Sequence, residues 1–160
     1  MKMYNRELNE IIEGLNKNQN VSRIRVNTLE DSGLTEEEKE LLQTYKPEKS
    51  LIIYGSLAPN KPNHAVVEHI KGEWKKGIVR GKLENVGWGA ALGYLGFKHC
   101  RKKDQQKISM FALISDELVS NWQMLDEFEG DEYRRILAKY ELDTGEIGVG
   151  YIYAINEEKA

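Results

Sequence analysis

The chain has 160 residues, the size of one domain with a modest appendage, and its 40% apolar and 31% charged content is that of an ordinary globular protein. A formal net charge of −3 with both signs interspersed argues against nucleic acid or an anionic membrane as the main partner, and neither a membrane-length apolar run nor a signal-peptide pattern is present. The one cysteine, Cys100, allows no intrachain disulfide, so the expected home is the reducing cytoplasm and the thiol is read as a bystander.

Tyr4, Leu8, Ile11, Ile12 and Leu15 recur at helical spacing, and Gly14 with the Asn-rich stretch from Asn16 ends the pattern. Val21 to Leu29 alternates weakly and is read as an extended link or a short strand. Thr35 with Glu38 has capping-box spacing, which predicts a helix over 36–45 that buries Leu41, Leu42 and Tyr45 before Pro47 breaks it. Residues 1–48 therefore form a helical extension, expected to pack either on the following domain or on another copy of the chain to make a homo-oligomer. Residues 49–160 form the main domain.

That domain opens with Ser50 to Tyr54, a continuous apolar run of strand length that suggests cover on both faces. It ends at Gly55-Ser56-Leu57, where a glycine directly after a buried strand turns the backbone and points successive amides outward, a nest for an anion. The glycine pattern and lysine of a phosphate loop are absent. Asn63 to Lys71 is read as helix and Ile78 to Leu83 as strand, with Gly81 marking a bulge or a close backbone approach. Trp88 to Phe97, rich in glycine and aromatics, is read as an irregular strand or loop able to line a pocket. The basic cluster from Lys98 to Lys107 lacks interleaved aromatics and is read as a solvated loop. His64, His69 and His99 have no ligand spacing, so no metal is expected.

Ile108 to Ile114 is a buried strand. After it, Ser115-Asp116-Glu117 reads as a helix start. With Leu118 at zero, about 100° per residue puts Trp122 near 40°, Leu125 near −20° and Glu129 near 20°, inside the apolar stripe, while Glu127 falls near 180°. Asp126 falls on the flank, and both Asp126 and Glu127 are read as solvent carboxylates. Gly130 stops the helix, leaving Glu129 in its last turn, where an apolar surround and the negative end of the dipole both disfavour ionisation. Such a carboxyl can act as a general acid or base near neutral pH; equally, it can bend out to pair with Arg134 or Arg135. Arg135 to Leu142 and Ile147 to Ile155 read as a hairpin joined by Asp143-Thr144-Gly145-Glu146. Gly148 and Gly150 leave room for another backbone or a ligand, and Tyr151 and Tyr153 share a face. The domain is a mixed α+β unit.

Two segments about 70 positions apart, Tyr54-Gly55-Ser56-Leu57 and Leu125-Asp126-Glu127-Phe128-Glu129-Gly130 with Tyr133 and Arg135 after it, resemble the paired motifs of the gamma-glutamyl cyclotransferase-like family over residues 51–155. The resemblance implies a small mixed barrel-like sheet with a few helices and a small-molecule substrate. It also implies closure of a γ-glutamyl amine or amino acid to 5-oxoproline without metal or organic cofactor. Glu129 takes the place of the family's catalytic acid/base. The amides of Gly55, Ser56 and Leu57 would hold the α-carboxylate or the oxyanion, Tyr133 and Arg135 would orient the helix end or the substrate, and Tyr54 and Tyr151 would wall the pocket. The chain departs from the family at Ala58-Pro59-Asn60, where many relatives carry a basic residue, and Asp131 and Glu132 place negative charge beside the site, disfavouring an anionic peptide such as glutathione. Two other readings use the same pocket: a binding or regulatory module without chemistry, and an amide hydrolase in which Glu129 activates water.

Overall fold

A computed structural model describes residues 7–17, 34–84, 96–100 and 102–156. Tyr4, the stretch Val21 to Leu29, and all of the glycine-aromatic segment before Gly96 lie outside the described residues.

The first helix, α1 (Leu8–Lys17), buries Ile11, Ile12 and Leu15 and runs three residues past Gly14, where the sequence suggested an end. Asn16 explains the extension. Its side chain accepts from the Leu137 amide at 2.8 Å and donates to the Leu137 carbonyl at 2.9 Å, so the last helical turn occupies the place of a neighbouring strand. The second helix, α2 (Glu36–Tyr45), starts on the expected capping box: Thr35 Oγ1 accepts from the Glu38 amide and the Glu38 carboxylate accepts from the Thr35 amide. Lys46 takes a left-handed conformation, φ 49°, and Pro47–Lys49 form one 3-10 turn that delivers the chain into the sheet.

The sheet consists of β1 (Ser50–Ile53), β2 (Glu73–Glu84), β3 (Gly96–Lys98), β4 (Gln106–Ile114), β5 (Tyr133–Leu142) and β6 (Ile147–Ile155). Pairings β1–β4, β4–β2, β2–β5, β5–β6 and β6–β1 close a five-stranded barrel, and β3 lies outside that ring, bonded to β2 and β6. All contacts are antiparallel except β1 and β3 with β6. The expected run from Asn63 to Lys71 is helical only over α3 (Ala65–Glu68), with turns on either side.

Strand alternation sorts the apolar residues into two layers. Ile52, Val79, Met110, Ala112, Ile136 and Ile152 gather inside the barrel. Leu51, Ile53, Leu113, Leu137, Tyr151 and Tyr153 point the other way and join the buried faces of α1 and α2. Each such aliphatic side chain taken out of water contributes roughly 1.5–3 kcal/mol before its conformational entropy cost. Gly150 is required by this packing, since a Cβ there would stand 2.8 Å from the Ser50 carbonyl. Gly81 likewise leaves room for the Phe97 ring, the close approach its place in a strand suggested.

The helix expected to begin at Ser115 is broken. Ser115 caps a 3-10 turn, Asp116–Ser120, by accepting from the Glu117 amide, and the α-helix proper, α4 (Trp122–Glu129), begins only after Asn121. The cause is local: the Asn121 side chain donates to the Glu117 carbonyl at 2.7 Å and Ser120 Oγ donates to the same oxygen, drawing that acceptor into a tight turn. Trp122 then fixes the new start by donating its indole N–H to the Glu48 carbonyl.

Candidate active site

Helix α4 carries two carboxylates three residues apart in contrasting settings. Asp126 is the N-terminal one. The expectation that it faces solvent is corrected by the two strands beneath it: Arg135 on β5 donates Nε to Oδ1 at 2.8 Å and Nη2 to Oδ2 at 3.0 Å, and Tyr153 on β6 donates its hydroxyl to Oδ1 at 2.7 Å. The Arg135 guanidinium itself sits over the rings of both Trp122 and Tyr151, 4.5 and 4.7 Å from their centroids. Rotation along an ideal helix did not show this because the partners lie on other elements. The usable signal was the Asp126 to Arg135 pairing of opposite charges around a helix stop. Glu127 is exposed, as its place on the wheel suggested.

Glu129 ends the helix. Gly130 follows with φ +79°, a conformation L side chains rarely adopt, and its amide closes on the Asp126 carbonyl. Glu129 is only 9% exposed. Burial, followed by the negative charge of Asp126, pushes its carboxyl up to about 7. Burial above all holds the phenols of Tyr153 and Tyr54 in their neutral form, helped at Tyr153 by the charge of Asp126 and at both by that of Glu129. Arg134 turns away to donate to the Asn16 carbonyl of α1.

The loop after β1 faces this region through Tyr54. The Tyr54 hydroxyl donates to the Tyr153 carbonyl at 2.7 Å and accepts from the Phe97 amide at 2.9 Å, so it acts as a rung between β6 and β3 just where β1 ends. That places the following residues firmly. Ser56 Oγ accepts from the Asn63 side chain, the Ser56 carbonyl accepts from the Asn63 amide, and the Leu57 carbonyl accepts from His64 Nδ1. These contacts use the loop's carbonyls. Among the described residues no backbone acceptor takes the amides of Ser56 and Leu57. Gly55 and Tyr54 border a cavity of about 470 Å³, and Glu129 is not among its lining residues.

The remaining expected site residues divide. Tyr133 starts β5, half-buried, near enough to Tyr54 to add to the rise in its pKa. Tyr151 lies 2% exposed under Trp122, its phenol pushed up to about 12 by burial, and with Arg135 it forms the bed on which α4 rests. Among the described residues no group of three or more His, Cys, Asp or Glu is placed to hold a metal ion, and no helix is long and apolar enough to cross a membrane.

No curated protein matches the sequence. Among solved structures, YkqA from Bacillus subtilis is similar at TM-score 0.52 and 24% identity, over 68% of this chain and 36% of that one. This chain thus spans little more than a third of the length of that protein. A protein from Arabidopsis thaliana aligns at TM-score 0.49 and 15% identity over 69% of this chain and 64% of its own. An AIG2-like protein from Mus musculus aligns at 0.48 and 19% over 68% and 77%. Likeness at these identities concerns the fold alone. Residues 51–160 match the family model described as gamma-glutamyl cyclotransferase, AIG2-like, a span that takes in the whole barrel from β1 onward and both motifs. With more than half its length inside that model, the chain belongs to the gamma-glutamyl cyclotransferase, AIG2-like family.

Proposed function

We propose that this protein closes a γ-glutamyl amine or γ-glutamyl amino acid to 5-oxoproline and releases the free amine, with Glu129 as the single acid/base. The observation that carries the reading is a carboxyl buried at a helix end, with its pKa pushed up to about 7, whose charge is felt at the tyrosine that opens the Gly55 to Leu57 loop.

The chemistry follows from that group. The substrate's α-amine is mostly ammonium at neutral pH and cannot attack until a base removes a proton. Glu129 in its ionised form takes that proton, the amine nitrogen adds to the γ-carbonyl carbon, and a five-membered ring with an oxyanion forms. When the bond to the leaving nitrogen breaks, the oxyanion re-forms the carbonyl, that nitrogen receives the proton back from Glu129, and the ring nitrogen gives up its second proton, by way of the freed Glu129 carboxylate, to the amine, which departs as ammonium. A base with a pKa near the working pH serves both steps. Oxyanion and α-carboxylate are the two negative groups that the Ser56 and Leu57 amides suit. Nucleophile and carbonyl belong to one molecule, so holding the substrate folded supplies much of the rate.

The test is 5-oxoproline release from a panel of γ-glutamyl amines and dipeptides by the unaltered protein and by Glu129→Gln. Turnover that disappears with Glu129→Gln is the expected result. Turnover that survives it removes Glu129 from the role, and binding without turnover in the unaltered protein favours a regulatory module.

A further inference from the structure

A second cleft, of about 230 Å³, lies between α1 and the barrel, and its two sides carry opposite charge. Glu7, just before α1, and Glu13 on it supply carboxylates, while Arg80 on β2 and Lys139 on β5 supply cations. The two carboxylates are exposed and the two cations half-buried. Ile12, buried, adds an apolar surface on the helix side. His99, the remaining base on the lining, donates Nε2 to the Leu137 carbonyl at 3.1 Å. The helix side of the cleft falls outside residues 51–160, the span that matches the family model.

The two sides do not neutralise each other directly. Among the described residues no ion pair joins Glu7 or Glu13 to Arg80 or Lys139. Arg80 instead donates Nε to Glu141 Oε2 at 2.7 Å. That one carboxylate does not balance the strand side. Lys107 stands opposite Arg80 in the β2–β4 register, and both Lys139 and Lys107 join Arg80 in lowering the pKa of Glu141, so three cations share one anion. A cation entering the cleft is attracted by the helix and repelled by the strands, and an anion the reverse. A molecule that carries both charges gains on both sides. The volume, below the roughly 300–1,000 Å³ of pockets for drug-sized ligands, suits a small metabolite.

We infer that this cleft binds a free α-amino acid, with its carboxylate toward Arg80 and Lys139, its ammonium toward Glu7 and Glu13, and an apolar side chain on Ile12. The inference is independent of the cyclotransferase reading, since neither Glu129 nor the loop after β1 lines the cleft. A bound amino acid ties α1 to β5, where Asn16 already holds the amide and carbonyl of Leu137. Both charge contacts are open to solvent, so removing either charged end of the ligand should weaken binding by about fivefold.

The probe is leucine, compared with 4-methylpentanoate, which lacks its ammonium, and 3-methylbutylamine, which lacks its carboxylate. Calorimetry on the unaltered protein should give leucine an affinity about fivefold above either. Cys100, the chain's one cysteine, also lines the cleft and is half-buried, so its alkylation by iodoacetamide, followed by mass spectrometry, reports on this place. Saturating leucine should slow that alkylation severalfold. Lys139→Gln should narrow the gap between leucine and 3-methylbutylamine, and Glu13→Gln the gap between leucine and 4-methylpentanoate. Thermal melts establish that both variants are folded. Leucine binding that leaves Cys100 alkylation unchanged lies elsewhere on the protein and overturns the inference. Equal affinities for the three probes, no binding at millimolar leucine, or gaps that both variants leave intact overturn it as well.

Discussion

Asp126 and Glu129 occupy the same helix, one turn apart, and the fold treats them oppositely. Asp126 is given a bidentate guanidinium and a phenol and keeps 41% of its side chain in solvent. Glu129 is desolvated at the helix end, next to that fixed negative charge. A carboxylate tied into opposite charge is a structural clamp. One that is dried and set beside another negative charge becomes a group that changes protonation near neutral pH. The clamp also serves the second group, because the contacts to Arg135 and Tyr153 set the rotation of α4 on the barrel and so where Glu129 points.

The largest effect should come from removing the titrating member. Glu129→Gln should lower kcat for 5-oxoproline release by about 10³-fold, within the range general acid–base groups contribute, with a much smaller change in KM. The same variant tests the cost of the buried acid. Since the folded pKa lies above the ordinary 4.5, the protonated form favours the fold below pH 4.5 and that advantage is lost as pH rises through about 7. Glu129→Gln should therefore gain on the unaltered protein across that interval, by about 3 kcal/mol at pH 8 in denaturant titrations. A difference that does not vary with pH would separate the two carboxyls less than argued.

Breaking the clamp should cost less activity and shift its pH dependence. In Asp126→Asn the Arg135 cation, 7% exposed, loses its counter-charge, for a destabilisation of about 2 kcal/mol by urea melts. Glu129 simultaneously loses the charge that helps keep it protonated, so the acid limb of kcat/KM should move to lower pH. Tyr153→Phe removes one hydrogen bond to Asp126 and should cost about 1 kcal/mol, with only a slight movement of the limb. Glu127→Gln, on the exposed face of the same helix, should change stability by less than about 0.5 kcal/mol and leave activity alone.

These two carboxylates also mark how far the sequence could be read. Periodicity placed Glu129 on the buried face because its partners are the apolar neighbours on its own helix, and local chemistry placed the capping box at Thr35 and the hairpin at Asp143 to Glu146 for the same reason. Asp126 was misplaced because its partners, Arg135 and Tyr153, arrive from two strands whose rotation against the helix no local pattern encodes. The break at Asn121 was missed likewise: Ser120 and Asn121 compete for the Glu117 carbonyl through side chains that a helical wheel treats as neutral. Tyr54 read as a pocket wall and does border a cavity, but no local pattern showed that its hydroxyl also bridges β6 and β3, a pairing that exists only once the barrel has closed.

The pKa of Glu129 itself is the most direct measurement. A carbon-detected NMR titration of the side-chain carboxyls, with Glu129→Gln to assign the signal, should show one glutamate with a midpoint near 7. A Glu129 signal that titrates near the ordinary 4.5 would contradict the account.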